Sequence, residues 1–85
     1  MPYIPKLRRQ MLDSFVEASH PENKTIGEIN YIITKFLKNK LEQKNYRYED
    51  LNEIIGVLES VKLEFYRRVV SKYEDLKIEE NGDVF

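Results

Sequence analysis

The chain has 85 residues, no cysteine, one histidine and a formal net charge of −1; 41% of its residues are hydrophobic and 34% charged. That composition excludes a disulfide framework and a thiolate metal site, argues against disorder of the whole chain, and lacks the basic surplus of sequence-independent DNA or RNA binders. No apolar run approaches the roughly 18 residues that cross a bilayer, so the expectation is one helical domain, residues 1–85, in the cytoplasm.

Met1–Pro5 is too short and proline-rich for a helix, but Pro5 suits the first turn of the one that follows. Leu7, Met11, Phe15 and Ala18 recur at helical spacing and predict an amphipathic helix over Lys6–Ala18. His20-Pro21 then punctuates a loop, Ser19–Lys24. Thr25-Ile26-Gly27-Glu28 has capping-box form, so a second helix should begin at Ile26 and run to about Gln43. Its apolar face is Ile26, Ile29, Ile33, Phe36, Leu37 and Leu41.

The short connection Lys44–Arg47 favours antiparallel neighbours. A third and longer helix is expected from Tyr48 to Leu76, with Glu49, Asp50 and Glu53 complementing the positive end of its dipole. It carries one stripe of Leu51, Ile54, Leu58, Val61, Phe65, Val69 and Leu76. A second stripe of Gly56, Leu63 and Val70 has Tyr66 and Tyr73 beside it. Two apolar faces on so long a helix need more cover than the second helix supplies, which points to a homo-oligomer. Asn81-Gly82 is a hairpin signal flanked by Ile78, Val84 and Phe85. The expected fold is therefore all-α and oligomeric: an antiparallel hairpin of two long helices, a short N-terminal helix, and a small C-terminal β-hairpin or tail.

Two polar residues interrupt the apolar faces. Asn30 lies among Ile26, Ile29, Ile33 and Leu37, and Lys62 among Leu51, Ile55, Leu58, Phe65 and Val69. Each is sixteen residues from Tyr46, so a fold-back centred there sets amide against ammonium. An unpartnered polar group on a core-facing position costs about 1–3 kcal/mol, so the pair marks either a site or a structural contact. With Tyr31, Tyr66 and Arg67 it could hold a small anion by charge-assisted bonds and stack a flat ring. The structural alternative lays the Lys62 stem along the core and pairs its ammonium with Glu59 or Glu28. Lys62–Arg68 mixes basic and aromatic residues, but on a helix these point all round the axis and form no continuous patch.

Glu49-Asp50-x-x-Glu53 resembles the acidic helix pairs by which all-helical nucleotide pyrophosphohydrolases hold magnesium. Helix two offers only Glu28 and Glu42 as partners, and the helix dipole is sufficient reason for the acidic cluster. Ser14, Ser60 and Ser71 have no histidine base near them in sequence. The expectation is thus no catalytic residue, metal or cofactor, with Asn30, Tyr31, Lys62, Tyr66 and Arg67 as ligand-binding residues.

The stretches MPYIP at 1–5, GEINY at 27–31, KLEFYRRVV at 62–70 and ENGDV at 80–84 resemble a family of small helical proteins from tailed phages, prophages and gut bacteria. That family has no assigned activity. Its members more often carry a small residue and proline where Ser71 and Lys72 stand, so here the helix is expected to run on through Tyr73. The resemblance implies a phage-type origin and a host bacterial cytoplasm. Small oligomeric helical phage proteins include sponges for immune signalling nucleotides, an analogy of size and architecture only. The expected function is non-catalytic sequestration of a small anionic nucleotide-type ligand. The alternative is an interaction module that inhibits a host protein; a magnesium-dependent nucleotide hydrolase ranks third.

Overall fold

The computed structural model describes residues 3–42 and 45–85, all of them helix, turn or extended tail with no strand. The expected helix end at Gln43, the start of the connection at Lys44, and Met1-Pro2 lie outside the described residues. The chain divides into two units, Met1–Asn45 and Tyr46–Phe85.

In the first unit, Pro5 precedes α1 (Lys6–Ala18) with φ −57° and ψ 146° and accepts the Arg9 N–H at 2.9 Å. Helix α1 ends at Ser19. His20 then takes a left-handed conformation, φ 50°, which spares it the helical region disfavoured before proline. Pro21–Asn23 forms one 3-10 turn within the expected loop.

Helix α2 (Ile26–Glu42) starts at the capping box read from the sequence. The Thr25 N–H donates to Glu28 Oε1 at 2.8 Å, and the Glu28 N–H donates back to Thr25 Oγ1 at 3.1 Å. These bonds, the backbone one first, hold the Glu28 carboxyl below the usual glutamate range. Removing such a cap hydroxyl costs about 1 kcal/mol. Thr25→Ala should therefore lower the helical circular-dichroism signal and the melting temperature. Because the Glu28 pKa is depressed on folding, its contribution is present above the ordinary glutamate value of about 4.3 and is lost as pH falls through the folded value. Ile29, Leu37 and Leu41 are half-buried on the expected inner face, and the Phe15 and Phe36 rings meet with centroids 6.3 Å apart.

The second unit is one uninterrupted helical run: α3 (Tyr48–Phe65), a π turn (Tyr66–Val70) and α4 (Ser71–Asn81). Asp50 starts it, accepting the Arg47 N–H at 2.8 Å. The helix passes through Ser71 and Lys72 without a break, as expected where proline is missing.

The C-terminal β-hairpin is not formed. Helix α4 extends five residues past the expected end at Leu76, through Asn81. Lys77 and Glu80 are good helix formers and pair at 3.3 Å one turn apart. Gly82 at φ 86° gives its N–H to the Ile78 carbonyl at 2.7 Å and ends the helix. Asn81-Gly82 is thus a helix stop rather than a hairpin turn. Asp83–Phe85 is a short tail, in which the Phe85 N–H donates to Asp83 Oδ1.

Among the described residues none is buried. Phe65 remains 60% exposed and Leu76 57%, on the stripe that should face a core.

Candidate functional site

The five residues singled out above divide between the two units. On α2, Asn30 is exposed and its carbonyl accepts the Thr34 hydroxyl at 2.8 Å. Tyr31 is 64% exposed, with the Lys35 ammonium 5.6 Å from its ring centroid. One face of that ring thus already carries a cation, as electron-rich aromatic faces do.

Lys62, Tyr66 and Arg67 stand within little more than one turn of the second unit. The Lys62 ammonium lies 3.7 Å from Glu59, the exposed ion pair of the structural alternative. Arg67 donates to Glu64 Oε1 at 3.0 Å, and Arg68 donates to the same oxygen. Glu64 is the hub of this group, its side chain only 27% exposed. The Arg68 bond, then the Arg67 bond, hold its carboxyl below the usual range. Two guanidinium groups against one carboxylate leave the cluster with a surplus positive charge. Solvent screens exposed pairs of this kind, so an incoming phosphate can compete for the cations at small cost.

Tyr66 is the first residue of the π turn, and its hydroxyl donates to Glu74 Oε1 at 2.7 Å, eight residues on. That bond pushes the phenol pKa up and keeps it a donor. The π turn and the role of Glu74 have no counterpart among the sequence-based expectations. A signal for the turn does exist: Val61, Phe65, Val69 and Tyr73 follow one another at fourfold steps. A straight α-helix rotates about 40° at each such step. A turn closed i to i+5 takes up the excess and keeps these side chains in line. Such turns recur at functional positions.

The acidic cluster is spent on the helix start through Asp50, and among the described residues no three His, Asp or Glu side chains gather at metal-binding distance. No helix among them is long and apolar enough to cross a membrane.

The described residues define an all-helical fold. The chain belongs to the DUF6899 family, a domain of unknown function whose match spans residues 1–84. No curated protein and no solved structure matches it.

Proposed function

We propose that this protein binds a small anionic nucleotide-type ligand without turning it over, and that it works as a homo-oligomer. Sequestration of that kind would suit a phage sponge acting on an immune signalling nucleotide in the host cytoplasm. The observation that supports the reading is the pair of guanidinium groups, Arg67 and Arg68, that share the single Glu64 carboxylate next to Tyr66 at a π turn, with Lys62 about one turn earlier. Cations with planar, bidentate donors suit phosphate, and an aromatic face suits a base. Asn30 and Tyr31 enter the proposal from the sequence pattern and their exposure on α2.

The test is incubation with a panel of cyclic and linear nucleotides, removal of free ligand, and heating. Release of unchanged nucleotide supports sequestration, and chemically altered nucleotide would establish an enzyme instead. Retention of none would favour the second reading, a module that inhibits a host protein. The exposed apolar stripe of α3 and α4 supports that alternative.

A further inference from the structure

Tyr66 enters the π turn twice. Its carbonyl accepts the Ser71 N–H, which closes the wide hydrogen-bonded ring that defines the turn. Its hydroxyl then spans the turn to Glu74 Oε1 at 2.7 Å. On either side the helix is ordinary, with φ −64° and ψ −42° at Phe65 and φ −60° and ψ −39° at Ser71. Lys77, one turn past Glu74, pairs with Glu80, which leaves the Glu74 carboxylate to the phenol.

The bond and the turn depend on each other. In a straight α-helix, residues eight apart lie about 12 Å apart along the axis and about 80° apart around it. A π turn stores one surplus residue, so Tyr66 and Glu74 stand as residues seven apart would, about 10 Å along and about 20° around. If the turn relaxed to an α turn, α4 would sit about 100° further round the axis of α3, and the phenol would lose its acceptor. A contact made in only one of two conformations shifts the balance towards that one by its own strength. For a single hydrogen bond this is roughly a 2- to 10-fold change in the population ratio.

A phenol has one proton to donate. While Glu74 accepts it, no phosphate oxygen can, and a phosphate that takes it leaves Glu74 without its partner. Tyr66 and Glu74 are both exposed, and Arg67 and Arg68 follow Tyr66 directly within the turn.

We propose that the Tyr66–Glu74 hydrogen bond is a latch on the π turn, and that an anion accepting the Tyr66 hydroxyl opens it and lets α4 rotate against α3. The opening rests on the anion-binding reading above; the latch does not. Glu74 is a positioning residue, acting through Tyr66 rather than on the ligand.

Helix register shifts occur in microseconds to milliseconds, the range read by NMR relaxation dispersion. In full-length protein without ligand, Tyr66→Phe and Glu74→Ala should each raise the population of the rotated state at Tyr66–Asn81 roughly 2- to 10-fold. The double variant should raise it no further, because both changes remove the same bond. An unchanged population in Tyr66→Phe, which keeps the ring, would show that the bond merely follows the turn and would overturn the latch. Additive effects in the double variant would do the same. Inorganic phosphate added to the wild-type protein should raise that population too, and Glu74→Ala should bind phosphate more tightly by a similar factor. Phosphate that shifts the Arg67 and Arg68 resonances without moving the population overturns the opening. Phosphate that shifts neither overturns the opening and counts against the anion-binding reading, while the ligand-free comparison of the variants still decides the latch.

Discussion

Serial dilution should lower the melting temperature of this protein and drain its helical far-ultraviolet signal. Fixing a residue's backbone costs about 1–2 kcal/mol, and isolated helices shorter than about 12–15 residues are marginal in water. Among the described residues no side chain is buried to offset that cost. In the homo-oligomer proposed above, burial between copies offsets that cost. For a folded dimer, each tenfold dilution removes about 1.4 kcal/mol of apparent stability. For a domain of this size that corresponds to roughly 6–11 °C per decade of concentration. Melting curves over a hundredfold concentration range give the answer. A midpoint that stays constant over that range would mean one chain is stable alone.

Lys62→Ala should abolish most of the thermal shift produced by a bound nucleotide. A ligand at a hundredfold excess over its Kd stabilises by about 2.7 kcal/mol. One charge-assisted hydrogen bond contributes about 1.5–3 kcal/mol, so its loss weakens binding by roughly 10- to 150-fold. Arg67→Ala should act similarly while also freeing Glu64 for Arg68 alone. Lys77→Ala is the control, since Lys77 pairs with Glu80 and lies past the π turn. Full retention of the shift in Lys62→Ala would remove Lys62 from the site.

Local chemistry makes much of the fold legible. The Thr25–Glu28 bonds, the start of α1 after Pro5, and the uninterrupted passage through Ser71 and Lys72 each depend on residues within one turn of one another. Such short-range bonds leave unambiguous patterns. The C-terminus misleads because Asn-Gly serves two geometries. Whether it turns a hairpin or stops a helix depends on the helix-forming strength of Lys77–Glu80 before it. Asn30 and Lys62 look core-facing from their apolar neighbours, yet both are exposed within their units. Periodicity marks which face wants cover, but not whether the chain itself supplies it. The Tyr66–Glu74 bond is hidden for another reason. Residues eight apart share no contact rule in a straight helix, and the π turn that relates them leaves only the run of fourfold steps.

The π turn also makes the gene unequally tolerant of length changes. Tyr66–Val70 holds a surplus residue, so losing one there lets the backbone relax to an ordinary α turn, with the downstream apolar side chains shifted only modestly. The same loss in α3, at Ser60 for example, would rotate everything beyond it by about 100°. Codon deletions should therefore survive selection within that five-residue window far more often than in the helical turns on either side.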